Sequence, residues 1–406
     1  MSFDPESVRA DFPALSQLIN GVPLVYFDNA STAQKPRCVI AATVAAYEGN
    51  CANIHRGVHT LSARATETFE AVRDKVLAFV NARAHSEIVF TKGTTEAINL
   101  VAQSFGRLVV GAGDEVLVSE LEHHSNLVPW QLLCAEKGAV LKRVPMTPSA
   151  EIDADAFEAM LSPRVKVVAL THVSNAFGTV SPIAEMVAKA HRFGAAVLVD
   201  GAQAVCHGPV DVQAIGCDFY CFSAHKLFGP TGVGVLFGKA SRLASMPPWQ
   251  GGGDMITSVR FEQSEFAEPP HRFEAGTPNI AGVMGMGAAI DYVSAIGWGP
   301  FAAWERRLLV YATEELKRVD GVHIFGDTKE KAPILSFSVD GIHPHDVGTV
   351  LDSEGVAVRT GLHCAEPAMR SLGLRGTVRA SLAFYNTERE VDVFVRALRS
   401  AIKMFR

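Results

Sequence analysis

Residues 196–226 read AVLVDGAQAVCHGPVDVQAIGCDFYCFSAHK. Two short apolar runs stand in this stretch, Ala196–Asp200 and Phe219–Phe222, and each gives way to polar residues, the first ending on a carboxylate. Runs this short, rich in Val, Leu and aromatics, mark strands covered on both faces, as in parallel sheets. Outward from here the pattern recurs at Ile88–Thr91, Glu115–Ser119, Val165–Thr171 and Gly234–Phe237. Between these runs, Glu96–Ser104 and Pro182–Phe193 have helical spacing, and Pro182 sits where a first helical turn tolerates proline. Alternating strands and helices predict a three-layer α/β domain around a mostly parallel sheet.

The composition turns to proline and glycine at Met246–Asp254 (MPPWQGGGD) and again at Glu268–Asn279 (EPPHRFEAGTPN). Beyond them a helix is expected over Ile280–Ile296, a second over Trp304–Val319, a strand over Ile334–Val339 and a last helix over Glu388–Met404. The expected division is a large domain over 17–282 and a smaller α+β domain over 283–406, with 1–16 packing on the smaller one.

Charge excludes some partners. The 43 acidic and 37 basic residues are spread along the chain for a net charge of −6, so no basic stripe points to nucleic acid or an anionic membrane. The first twenty residues lack an apolar run long enough for a signal peptide or a membrane span, which makes the cytosol the default location. Seven cysteines at scattered spacings, without a CxxC pair, read as reduced thiols and not as a metal site. Cys38, Cys51, Cys134, Cys206, Cys217 and Cys221 are explained as small hydrophobes. Cys364 stands apart, in the loop Arg359–Pro367 (RTGLHCAEP) with Arg359 and His363 nearby, where cationic neighbours raise the thiolate fraction an attacking sulfur needs.

Ligand groups in open α/β sheets gather at the carboxyl ends of strands, so Asp200 and the segment Ser223-Ala-His225-Lys226 can face one crevice. Gly93-Thr94-Thr95-Glu96 follows another strand and opens a helix, the setting of an anion nest. Singly, each is ordinary: a strand-end Asp is commonly a cap, a Gly-Thr-Thr turn likewise, and a lysine after an aromatic strand is usually solvated. Together they meet one demand. A phosphate-bearing pyridine aldehyde needs an anion nest, an acid to keep its ring nitrogen protonated and a lysine to condense with it.

The chain resembles the fold-type-I pyridoxal-phosphate enzymes and, within them, the SufS-type (group II) cysteine desulfurases. The resemblance rests on VRADFPALS, IHRGVHTLSARAT, KGTTEAINL, EHHSNLVPWQ, THVSNAFGTV, VLVDGAQAV, DFYCFSAHKLFGPTG, RFEAGTPN, RTGLHCAEP and RASLAFYNT, which occur in that family's order over nearly the whole chain. It implies pyridoxal 5'-phosphate as cofactor, bound through Lys226, with Asp200 on the ring nitrogen and His123 stacked on the ring and assisting proton transfer. It further implies that Asn175 and Gln203 touch the ring oxygen, and that Thr94, Thr95, Ser223 and His225 hold the phosphate, joined by Thr277 from the other subunit of a homodimer. Arg379 would grip the substrate carboxylate, with Arg359, His55 and Arg56 also near the substrate. Leu362 departs from the pattern, standing where SufS sequences often have His.

The implied reaction takes sulfur from L-cysteine, leaves alanine and holds the sulfur as a persulfide on Cys364, for iron–sulfur cluster assembly. The Cys364 loop carries no long insertion to swing the persulfide outward, so a SufE-like or SufU-like acceptor protein is expected to come to it. Selenocysteine lyase, acting on L-selenocysteine, is the alternative activity. A fold-type-I aminotransferase would have no use for Cys364, and a carrier protein with a degenerate pocket would have no use for Lys226, Asp200 and the Thr94/Thr95 nest together.

Overall fold

The computed structural model describes residues 3–406. Seven strands form the main sheet: β1 (Ile88–Thr91), β2 (Glu115–Ser119), β3 (Val140–Val144), β4 (Val165–Thr171), β5 (Ala196–Asp200), β6 (Phe219–Ser223) and β7 (Gly234–Gly238). Their order is β1-β7-β6-β5-β4-β2-β3, and all run parallel except β7, which is antiparallel to both β1 and β6. The period-2 alternation of side chains sends Leu117, Val168, Val199 and Phe222 into one apolar layer and Val118, Ala169, Leu198 and Cys221 into the other. Helices Thr60–Val80, Ile183–Arg192 and Ile280–Ile296 cover the first face, while Thr94–Val101 and Val128–Lys137 cover the second. This is the three-layer α/β arrangement with a mostly parallel sheet.

The smaller sheet has the order β8-β9-β11-β10, antiparallel throughout: β8 (Val322–Phe325), β9 (Ile334–Val339), β10 (Arg359–Gly361) and β11 (Thr377–Ser381). It has its own core, where Phe337 and Val378 meet Phe394 and Leu398 of the helix Glu388–Phe405. Chain from the other end joins it. Val25–Tyr26 pairs in parallel with Val356–Ala357, and Val25 and Phe27 are buried in this second core. Arg9, on the first helix, reaches Glu390 at 2.8 Å.

Two segments differ from their sequence reading. The helix expected from Trp304 begins at Trp298, because Gly297, at φ 81°, breaks the chain from the preceding helix and lets a new one start at once. The proline-rich stretch 268–279 is pinned to the main sheet: Glu274 accepts from the Phe90 N–H at 2.7 Å and from Arg73 at 2.8 and 3.0 Å. Among the described residues no single helix is long and apolar enough to cross a membrane.

Candidate active site

A cleft of about 660 Å³ opens where the carboxyl ends of the parallel strands face the smaller sheet. Thr94, Thr95, His123, Asn175, Asp200, Ser223, His225 and Lys226 line it from the strand ends, and Arg359, His363, Cys364 and Arg379 line it from the smaller sheet and its loop. The crossovers of a parallel sheet leave strand-end loops free for such groups.

After β1, Gly93 adopts φ 155° and the helix starts at Thr94. A Cβ on Gly93 would stand 3.2 Å from Ser223 Oγ, so this close approach favours glycine. The Thr94 N–H donates to Ser223 Oγ at 2.8 Å, and the two hydroxyls are also 2.8 Å apart. Thr95 Oγ1 lies 2.8 Å from Ser125 Oγ. Hydroxyls that rotate, at the N-terminus of a two-turn helix, make an anion cradle.

The end of β2 is tied down by Glu122. Its Oε1 accepts from Ser119 Oγ at 2.5 Å and from the Thr171 N–H of β4 at 2.9 Å, while Oε2 accepts from Asn126 Nδ2 at 2.6 Å. Burial pushes its pKa up to about 8. The clamp sets the turn that presents His123, whose Nδ1 accepts from the Ser125 N–H at 3.0 Å and from the Ser125 hydroxyl at 2.8 Å. A backbone N–H only donates, so Nδ1 carries no proton and neutral His123 keeps its hydrogen on Nε2. Burial, reinforced by the Lys226 charge, pulls its pKa down to about 3.

Asp200 Oδ1 accepts from the Ala202 N–H at 2.9 Å, and no donor among the described residues reaches Oδ2. Burial raises its pKa against the opposing pull of Lys226. Lys226, for its part, has no side-chain hydrogen bond or ion pair among the described residues, and burial lowers its pKa although Asp200 opposes this. Burial also brings His225 to about 4. An amine without a protein partner, a buried carboxylate with a free oxygen and the hydroxyl cradle together fit a pyridine aldehyde phosphate.

From the smaller sheet, Arg359 and Arg379 stand opposite each other in the β10/β11 ladder. Arg379 is buried, and Asn175 joins the two halves of the site: its carbonyl accepts from Arg379 Nη1 at 2.7 Å and its amide donates to the His363 carbonyl at 2.6 Å. His363 and Cys364 both adopt left-handed backbone, φ 53° and 54°, which turns the loop sharply and leaves Cys364 exposed. The Cys364 carbonyl is fixed by the His124 N–H at 2.8 Å. His363 does not add a positive charge near neutral pH, because burial and the Arg379 charge lower its pKa to about 3. Leu362 packs on the main apolar core.

Four residues singled out in the sequence do not line this cleft. Gln203 is buried one step behind it, its Nε2 donating to the Ala30 carbonyl at 2.6 Å while its Oε1 has no partner. Thr277 lies in a separate cleft with Phe273 and Asn279. His55 is held by Glu70 at 2.9 Å and Asp254 at 3.3 Å, and Arg56 by Asp254 at 3.3 Å. Sequence reasoning, in turn, missed the turn carrying Asp28, Ala30 and Ser31, along with Glu122 and Ser125. The polar run Asp28-Asn-Ala-Ser-Thr32 directly after apolar Leu24–Phe27 was the available signal.

The chain matches the aminotransferase class-V family over residues 25–394. It is 50% identical over 405 residues to a cysteine desulfurase of Klebsiella pneumoniae, with all of both chains covered. The crystal structure of the cysteine desulfurase CsdA from Escherichia coli superposes with a TM-score of 0.93 at 39% identity, again over the whole of both chains. A more distant structure, a C-DES mutant with glycine covalently linked to its PLP cofactor, shares the fold with a TM-score of 0.81 at 23% identity, covering 96% of this chain and 98% of that one. Relatives named for cysteine desulfuration do not favour the selenocysteine lyase alternative. By its match across most of its length and by these relatives, the chain belongs to the aminotransferase class-V family, among the pyridoxal-phosphate-dependent cysteine desulfurases.

Proposed function

We propose that this cysteine desulfurase works as a SufS-type enzyme that stores the sulfur of L-cysteine as a persulfide on Cys364 and passes it to a SufE-like or SufU-like acceptor for iron–sulfur cluster assembly. The observation that carries this reading is that Lys226 and Cys364, 138 positions apart in the chain, line one cleft. When bound, pyridoxal 5'-phosphate supplies the aldehyde that joins the substrate amine and the electron sink that acidifies Cα–H and weakens the bond to the β-sulfur.

The chain's own groups do the rest. Thr94, Thr95, Ser223 and His225 hold the phosphate, Asp200 keeps a proton on the ring nitrogen, and Asn175 is placed to touch the ring oxygen. Gln203, whose Nε2 donates to the Ala30 carbonyl, would be the second group on that oxygen. Lys226 removes the Cα proton, and its lowered pKa favours the neutral amine that a base requires. Arg379, with Arg359 beside it, grips the α-carboxylate. Cys364 thiolate forms a new S–S bond to the substrate sulfur. The Cβ–S bond breaks, Cβ keeps its electron pair, and a proton there, routed through His123 Nε2, together with the return of the Cα proton from Lys226, completes alanine. In a homodimer, Thr277, His55 and Arg56 would serve the other subunit's cleft.

The test is to incubate the enzyme with L-cysteine and measure alanine and protein-bound sulfane sulfur by peptide mass. Wild-type enzyme should carry one extra sulfur on the Cys364 peptide, and Cys364→Ser should keep the cofactor's colour and its response to substrate but carry none. Sulfane sulfur on another cysteine, with normal alanine yield, sinks the assignment.

A further inference from the structure

The donors of Arg379 are largely committed inside the protein. Besides the bond from Nη1 to the Asn175 carbonyl, Nη2 donates to Ser31 Oγ at 2.7 Å and to Asp28 Oδ1 at 3.2 Å, while buried Nε has no acceptor. Arg359 converges on the same pair, with Nη1 3.0 Å from Ser31 Oγ and 3.7 Å from Asp28 Oδ2. The Ser31 hydroxyl in turn donates to Asp28 Oδ1 at 2.6 Å. A carboxylate of the chain therefore already sits where two guanidinium groups meet.

A bidentate grip on a carboxylate uses two neighbouring N–H groups of one guanidinium edge. Both hydrogens of Nη2 are spent on Asp28 and Ser31, so an anion taking the Nε–Nη2 edge must displace one of them. The Asp28 side chain is 21% exposed against 2% for Arg379, which gives the aspartate, but not the arginine, a way out to water.

We propose that Asp28 is the resident counter-ion of Arg379, a positioning residue that holds the carboxylate subsite until substrate arrives and sets how tightly carboxylate-bearing ligands bind there. This rests on the reading of Arg379 as the carboxylate anchor. In the free enzyme Asp28 compensates a buried cation that would otherwise be costly. During binding, the same negative charge competes with the incoming one, so affinity is held below what the two arginines alone would give.

The experiment titrates the holoenzyme with two amines that carry no sulfur to transfer, L-alanine and ethylamine, which differ by the carboxylate, and follows the cofactor's absorbance. Asp28→Asn keeps the shape and one acceptor but removes the charge. It should bind L-alanine about fivefold more tightly, the worth of a partly exposed ion pair, and leave ethylamine binding unchanged. KM for L-cysteine should fall with little change in kcat. Weaker or unchanged L-alanine binding in Asp28→Asn overturns the proposal, since it would make Asp28 a brace for Arg379 or a bystander. If wild-type enzyme binds ethylamine as tightly as L-alanine, the Arg379 reading itself fails and takes the proposal with it, a result separable from any behaviour of the variant.

Discussion

Four histidines held neutral inside this enzyme should each cost stability as pH falls below about 6.5, against the opposing contribution of Glu122, which burial lifts to about 8 so that the folded chain takes up its proton first. Burial is the main cause in each case, and it lowers His123 and His363 to about 3 and His172 and His225 to about 4. Unfolded, each returns to the ordinary value near 6.5. A depressed histidine means that the unfolded chain binds the proton first, so stability is lost as pH falls below about 6.5 and goes on falling until the folded values are reached. At about pH 5 each histidine accounts for roughly 2 kcal/mol, and the four for about 8 kcal/mol. His123, His172 and His225 are only half-buried. Discounting these three for solvent screening leaves about 5 kcal/mol, comparable to the whole stability of a small domain. His55 and His207 do not offset this slope. Their pKa values are raised, so their contribution is complete below the unfolded value and is lost only as pH rises through the folded one. The assay is the urea midpoint and slope at saturating cofactor, from about pH 7.5 down to about pH 5. His172→Gln, which retains a polar partner for the Tyr220 hydroxyl now 3.0 Å from Nδ1, should flatten the pH dependence by about 1 kcal/mol per pH unit. Wild-type enzyme and His172→Gln with the same pH dependence would refute the reasoning.

Much of the fold is legible in the sequence because burial on both faces leaves a strand no polar positions to blur its ends. Ile88–Thr91, Glu115–Ser119, Val165–Thr171 and Ala196–Asp200 stand in the structure where their apolar runs place them, as does the helix Ile280–Ile296. The edge strand Val140–Val144 escapes the same reasoning, since only Val144 is buried and Lys142 and Arg143 face outward to Glu115 and Glu120. The helix after Gly93 starts two residues earlier than its apolar spacing suggests, because Thr94 and Thr95 belong to its first turn and point to the cleft. The site splits along the same line. Groups at the ends of buried strands are found from local pattern, whereas Asp28 and Ser31 meet Arg379 across 351 and 348 positions, and no local pattern encodes that. The left-handed turn at His363 and Cys364 is equally hidden, since neither residue is a glycine.

Lys226→Ala should lose turnover and the coloured link between cofactor and protein while the Thr94/Ser223 cradle still retains some cofactor, and absorbance with a cysteine assay decides it: turnover at the wild-type rate would remove Lys226 from the chemistry. The remaining prediction concerns Asp218, which is 2% exposed at the start of β6, the strand whose far end leads to Lys226. Burial works against its charge, but the His191 ring at 2.8 Å, the Val197 N–H at 2.8 Å, Arg242 at 3.0 Å and Lys239 at 3.5 Å overcome it and pull the pKa down to about 2. Since the folded pKa is lowered, the stabilisation of about 2 kcal/mol is full above the unfolded value near 4 and is lost as pH falls toward 2. Asp218→Asn should therefore cost about 2 to 3 kcal/mol at neutral pH, because it also leaves the surrounding cations without their acceptor charge. KM for L-cysteine should stay put, since Asp218 lies at the opposite end of the strand from the cleft. A variant that unfolds at the wild-type urea concentration would show that water compensates the charge of Asp218, and that β6 is held by its apolar neighbours alone.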